Sequence, residues 1–168
     1  PSSAASDVYK RQILVPVPRH SPLKMTLKTG SLWPSLQIAN AIKEELEVGI
    51  VEPILIRVKP VRRSSLSKPY ERPKPTEHYN SIAVNKARLT KLDPQSFYQI
   101  LLVDDVVTRG HTFMGSAWRL QKAFPNAKIK AFAAIRTVSN PLEFERIINP
   151  TFGYITYREN YDDCLRRP

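Results

Sequence analysis

Apolar residues along this chain fall into short runs bounded by turn formers, interleaved with stretches in which they recur at helical spacing. Ile13-Leu14-Val15-Pro16-Val17 reads as a strand and Ile54-Leu55-Ile56-Arg57-Val58 as a strand-like segment. Ile100 to Val103 and Ile129 to Ile135 read as strands buried in the sheet, because they show little polar alternation. Between the first two lies a predicted helix, Pro34 to Glu47, with Leu36, Ala39, Ile42 and Leu46 toward the core and Pro34 near its start. A second predicted helix begins near Thr112, carries Phe113, Ala117, Leu120 and Phe124 on one face, and ends at Phe124-Pro125-Asn126. His78 to Val84 is expected to be a short strand or the base of a covering loop, and Asp93-Pro94 marks a turn. Alternating strands and helices predict an α/β fold, a parallel sheet with helices on both faces.

The chemistry concentrates in Ile100 to Thr112, where an apolar strand runs into Asp104 and Asp105 and then into Thr108-Arg109-Gly110-His111-Thr112. The two acids are expected at or just past the carboxyl end of the strand, where open α/β sheets hold ligands. The following turn and helix start would gather backbone N–H groups and the positive end of a helix dipole around a small anion site. Gly110 permits φ > 0 and close approach of an anion to the backbone. Thr108 and Thr112 add hydroxyl donors, with Thr112 also suited to an N-cap. Carboxylates only accept, so Asp104 and Asp105 suit a diol, a divalent cation or a developing positive charge. Acids beside an anion nest imply a ligand such as a sugar phosphate. A plain structural alternative is that the acid pair caps a turn or the following helix. A phosphoacceptor receiver domain needs a further Asp after a later strand, and the only later ones are Asp162 and Asp163 near the carboxyl terminus.

Asp104 to Thr112 resembles the phosphoribosyl pyrophosphate (PRPP) signature of type I phosphoribosyltransferases: apolar residues, two acids, two apolar residues, then Thr-Thr-Gly-x-Thr. Ile13-Leu14-Val15-Pro16-Val17-Pro18-Arg19-His20 is similar to the Val-Pro-Val-Pro strand and turn of the ComF-like branch, which lies near the amidophosphoribosyltransferase-like enzymes. The resemblance spans roughly Ile13 to Thr137, with Lys59 to Val84 only loosely alignable. It implies that Asp104 and Asp105 are the catalytic acids, binding the ribose hydroxyls of PRPP directly or with Mg²⁺. Thr108, Arg109, Gly110, His111 and Thr112 would cradle the 5-phosphate, and the turn at Pro18, Arg19 and His20 would lie near the pyrophosphate. Arg109 stands where the family has its second Thr, and His111 fills the variable position. The implied reaction transfers phosphoribosyl to a nitrogen acceptor with release of pyrophosphate. No acceptor pocket is recognisable; Arg136 to Pro141 is where the family would place one. The alternative is a PRPP-binding or nucleic-acid-associated accessory protein without turnover.

Lys59 to Pro75 holds Arg62, Arg63, Lys68 and Arg72 among several prolines, so it suits a hood over the site, extending to Val84, equally as it suits a solvated basic linker. The 168 residues fit one domain, expected over residues 13–150, with a carboxy-terminal strand and tail over residues 151–168. A formal charge of +11 favours anionic partners, polyphosphate or nucleic acid alike. One cysteine, Cys164, excludes a disulfide framework, and His20, His78 and His111 show no zinc-ligand spacing. No segment approaches the roughly 20 apolar residues of a membrane span, so a cytoplasmic location is the default and an oligomer stays open. Pro1 to Gln12 lacks an initiator Met and apolar patterning, which reads as a disordered or non-native leader on an amino-terminally shortened chain. Loss of a family helix there would uncover part of one sheet face. Trp33 is expected to pack at its helix start. Tyr154, Tyr157 and Tyr161, with Arg158, Arg166 and Arg167, give an aromatic, basic end that suits a surface strand and a frayed tail.

Overall fold

The computed structural model describes residues 12–22, 32–47, 49–62, 71–92, 99–138 and 149–167. Strand β1 (Gln12–Pro16) pairs in parallel with β2 (Ile50–Val51) on one side and with β5 (Gln99–Val107) on the other, and β5 pairs with β6 (Lys128–Arg136). The sheet order is therefore β2-β1-β5-β6, all parallel. The strand order reverses between β1 and β5, so their carboxyl ends form the crevice in which such sheets bind ligands.

Helices cover both faces, because successive side chains of a strand point to opposite sides. Ile13 and Val15 of β1 and Ile100 and Leu102 of β5 pack with Phe113 and Leu120 of α4 (His111–Ala123) and with Phe124. Leu14 and Val103 face the other way, onto Ala39 of α1 (Pro34–Leu46). The helix predicted over residues 34–47 thus forms with its Pro in the first turn. Leu46, however, is 62% exposed, since α1 runs past the covered part of the sheet.

One other expectation needs correction. Ile129 to Ile135 lies in β6, which is not buried: it is the outer strand among the described residues, with Phe132 41% and Ile135 59% exposed. Only Ile129 and Ala133 turn toward the α4 core. The segment at 54–58 becomes β3 (Leu55–Arg57), which leaves the main sheet to pair antiparallel with β4 (Ile82–Val84). The link from β2 to β3 is too short for the dozen or more residues that a parallel crossover needs.

Of His78 to Val84, expected to be a short strand or the base of a covering loop, residues 78–81 end the helix α2 (Pro75–Ser81), and the strand β4 begins only at Ile82. A short helix α3 (Lys86–Leu89) follows, capped by the Asn85 side chain accepting from the Arg88 amide. Helices α2 and α4 meet at Gly115, where a Cβ would lie 2.7 Å from both the His78 Cβ and the Tyr79 nitrogen. The expected carboxy-terminal strand is present and is followed by a second strand rather than a frayed tail: β7 (Tyr154–Arg158), a 3-10 turn (Glu159–Tyr161) and β8 (Asp163–Arg167) form a hairpin. Among the described residues no helix is long and apolar enough to cross a membrane.

Leu14 is fully buried on the thinner, α1 side of the sheet. Leu14→Ala should cost about 2–5 kcal/mol of stability, and Leu46→Ala under about 0.5 kcal/mol, in urea unfolding. Equal losses would contradict this placement of α1.

Candidate functional site

Asp104 and Asp105 lie inside β5 rather than at or past its end, because the strand continues to pair through Val107 with Arg136. The Ser35 hydroxyl, in the first turn of α1, donates to Asp104 Oδ1 at 2.9 Å, and the Asp105 amide donates to the same oxygen at 3.0 Å. The Val106 amide donates to Asp105 Oδ1 at 2.9 Å. Burial pushes the Asp104 carboxyl up to about 7, and the neighbouring Asp105 adds to the rise against the lowering bond from Ser35. Asp104 is therefore partly protonated at neutral pH and is held against the amino end of α1.

The loop after β5 turns into α4 where the sequence places it, with changed side-chain roles. Gly110 has φ +90° and is the N-cap of α4, so Thr112 is not the cap but the second helical residue. No side chain caps this end, and the first N–H groups of α4 have no acceptor within the helix. What this end offers is backbone amides at a helix start. The open side imagined at the Gly110 α-carbon is filled instead by Ile155 of β7: a Cβ there would sit 2.6 Å from Ile155 Cδ1.

Arg109 and His111 point not to a phosphate but to Asp163 of β8. Arg109 Nη1 lies 3.3 Å from Asp163 Oδ1, His111 Nε2 lies 2.7 Å from the same oxygen, and Arg158 donates to Oδ2. His111 Nδ1 reaches the Pro73 carbonyl at 2.8 Å. Both partners present acceptor oxygens to the ring. Burial alone would raise the Asp163 carboxyl, but these three donors hold it well below the usual carboxylate range. Arg166 of β8 completes the attachment, with Nε donating to the Thr108 carbonyl at 2.9 Å and Nη2 to the Thr137 carbonyl at 2.5 Å.

The turn at Pro18, Arg19 and His20 leaves the carboxyl end of β1 beside Asp104. Trp33 packs as expected at the start of α1, its indole Nε1 donating to the Val17 carbonyl at 2.9 Å. Beneath the turn lies Arg57, only 6% exposed, whose Nε donates to the Arg19 carbonyl at 2.9 Å and Nη1 to Ser81 Oγ at 2.6 Å. Burial lowers its pKa to about 10 despite the fields of Asp104 and Glu77. His78 is buried against Thr112, with Nε2 3.4 Å from Thr112 Oγ1. Burial, then the charges of Arg57 and His111, pull it down to about 3, so it is neutral at physiological pH.

Of the hood cations, Arg63 and Lys68 lie outside the described residues. Arg62 pairs with Glu71 at 3.2 Å on the surface, and Arg72 has an Nε buried without a partner. Cys164 is buried, and burial followed by the charges of Asp163 and Asp162 pushes its thiol up to about 12, which leaves it unreactive. Sequence reasoning missed Ser35, Arg57, His78 and Asp163 as parts of this constellation. The one usable signal was Arg57, a charge inside an apolar run. No family model, curated protein or solved structure matches the chain.

Two expectations follow from the buried carboxyls. Because the fold raises the pKa of Asp104 above its ordinary 3.8, the stability linked to it is full below about pH 4 and is lost as pH rises toward about 7. Asp104→Asn should then raise the melting temperature near pH 8, by about 2–4 °C for each kcal/mol regained, with the gain vanishing near pH 4. A gain that does not depend on pH would exclude this origin. For Asp163 the sign is opposite, since its depressed pKa gives stability that is present above about pH 4 and lost below it. Asp163→Asn should cost about 3–5 kcal/mol in urea unfolding at neutral pH. An undiminished penalty near pH 2 would rule out the ion pairs as its source.

Proposed function

We propose that this protein binds PRPP and is a phosphoribosyltransferase-like enzyme that transfers phosphoribosyl to a nitrogen acceptor. One observation carries the reading: two adjacent carboxylates, a positive-φ glycine and the amino ends of two helices converge at the strand-order reversal between β1 and β5. Acceptor groups beside amide donors match a ribose diol joined to a phosphate. Asp104 and Asp105 would hold the ribose hydroxyls. The first-turn amides of α4 would hold the 5-phosphate, helped by the hydroxyls of Thr108 and Thr112. The turn at Pro18, Arg19 and His20 would face the diphosphate.

In the reaction the acceptor nitrogen bonds to C1 of the ribose while the C1–O bond breaks and pyrophosphate leaves with its electron pair. Carboxylates under the ring favour the positive charge that develops on it, an effect strongest where water is excluded. Among the described residues no three His, Cys, Asp or Glu side chains gather to hold a metal alone. A Mg²⁺ ion fits Asp104 and Asp105 only when shared with oxygens of the substrate, which is how Mg²⁺ is commonly bound. When bound it would neutralise charge on the leaving pyrophosphate.

A second reading, a nucleic-acid-associated protein without turnover, is favoured by a different surface. Trp118 meets Tyr157 edge-on at 4.7 Å and Tyr79 at 6.1 Å, with the Arg119 guanidinium 3.8 Å from the Tyr79 ring centre. Beside them is a cleft of about 450 Å³ lined by Tyr79, Trp118, Gln121 and Lys122. Aromatic faces flanked by cations suit stacked bases.

Calorimetric titration separates the readings. PRPP should bind the wild type in the presence of Mg²⁺, and Asp104→Asn with Asp105→Asn should weaken binding at least tenfold, about 1.4 kcal/mol. A folded wild type that ignores PRPP but binds single strands with steep salt dependence would favour the second reading and sink the first.

A further inference from the structure

Strand β6 ends the sheet with an open edge. Residues 128–135 make no backbone hydrogen bond beyond the ladder with β5, so among the described residues the outward N–H and C=O groups of alternate positions are unpaired. The register with β5 keeps one offset from Lys128 to Arg136, so no bulge turns the edge away. No proline interrupts it. The run Ala131-Phe132-Ala133-Ala134-Ile135 carries no charge, and all of it except Ala133 is exposed. Beside Ile135 in the ladder stands Val106, itself 40% exposed, so apolar surface continues inward from the edge. Natural edges are normally blunted by charge, proline, a bulge or a covering element, and one left open is a template for another strand.

Charge selects the partner. Side chains alternate along β6, so Lys128, Lys130 and Phe132 share one face, while Ile129 and Ala133 turn to the other, toward α4. Lys128 and Lys130 are exposed, and among the described residues no carboxylate pairs with either. A second copy of this chain fits poorly. Laid antiparallel so that the two apolar runs coincide, it sets Lys130 of each copy directly opposite Arg136 of the other, and both copies carry a formal charge of +11. An acidic strand meets the lysines instead. In an antiparallel partner, the residues two and four places after the one opposite Phe132 lie opposite Lys130 and Lys128.

We propose that β6 is a docking edge for an extended acidic segment of another protein, which adds to the sheet as an antiparallel strand. Its apolar stretch lies along Ala131 to Ile135, and two acids at alternate positions follow, facing Lys130 and then Lys128. The backbone ladder supplies affinity, while Phe132, Ile135 and the two lysines supply register. Opposite charges across the pair favour it, and like charges directly opposed disfavour it. The proposal is independent of the PRPP reading, because this edge lies on the far side of β5 from β1.

The experiment is fluorescence anisotropy with labelled peptides of about eight residues. Two peptides share the same valine, threonine and phenylalanine residues and differ only in carrying glutamates or lysines opposite Lys130 and Lys128. The wild type should bind the glutamate peptide about tenfold more tightly than the lysine peptide. Lys128→Glu with Lys130→Glu, at two exposed positions, should invert that preference. The glutamate peptide is also made with every second amide N-methylated, in both frames. One frame blocks the amides that face β6 and should lose binding, while the other blocks those that face solvent and should keep it. A folded wild type without preference for the glutamate peptide, a preference that survives the charge reversal, or equal effects of the two frames overturns the proposal. Sedimentation is measured alongside. A wild-type dimer that Ile135→Lys converts to a monomer would give the edge to a second copy and overturn it as well.

Discussion

The parallel pairing of β1 with β5 is the constraint from which the rest of the site follows. Five residues of each strand run in register, from Gln12 beside Gln99 to Pro16 beside Val103, and the Val17 amide extends the ladder to the Val103 carbonyl. Both strands are apolar on both faces, so a slip of one residue would exchange the sets facing α1 and α4. That slip would also put Asp105 where Asp104 now meets Ser35. Register thus determines which carboxyl is buried against the helix and which is left toward the crevice, a choice that the acid pair itself does not encode.

Two charges inside this small protein are accommodated in opposite ways. Asp163 is surrounded, with Arg109, His111 and Arg158 all on one carboxylate that is 4% exposed. Arg57 has neutral acceptors only. The first arrangement is self-contained and welds the β7–β8 hairpin to the loop after β5. The second is electrostatically incomplete at the mouth of the sheet. Among the described residues, one buried charge is thus met by ion pairs and the other by neutral acceptors alone.

Much of the central fold was legible from periodicity, because β1 and β5 are apolar on both faces and α1 and α4 each present an apolar face to one of them. What misled was the assumption that an apolar run is buried. Phe132 and Ile135 belong to such a run and face outward, since burial depends on what lies beside a strand and no local pattern specifies it. The position of Gly110 was legible from the turn it must make, but its second reason, the Ile155 side chain, comes from a residue 45 positions later. Arg109 and His111 looked like phosphate ligands for the same reason: nothing near them in sequence reveals that Asp163 folds back onto them. The pairings that reassign Arg109 and His111 join residues 54 and 52 positions apart.

That separation also orders events in time. The loop after β5 receives its clamp from Arg166, 58 residues beyond the Thr108 carbonyl it binds. At about 5–20 residues per second of synthesis, the interval between making the loop and making its clamp is roughly 3–12 s. During those seconds Arg109 and His111 lack the Asp163 carboxylate that they bond in the finished fold. A nascent chain of this protein therefore passes through a stage in which its basic loop is assembled and unsatisfied, open to whatever anions the surroundings offer, until the ribosome has delivered the hairpin.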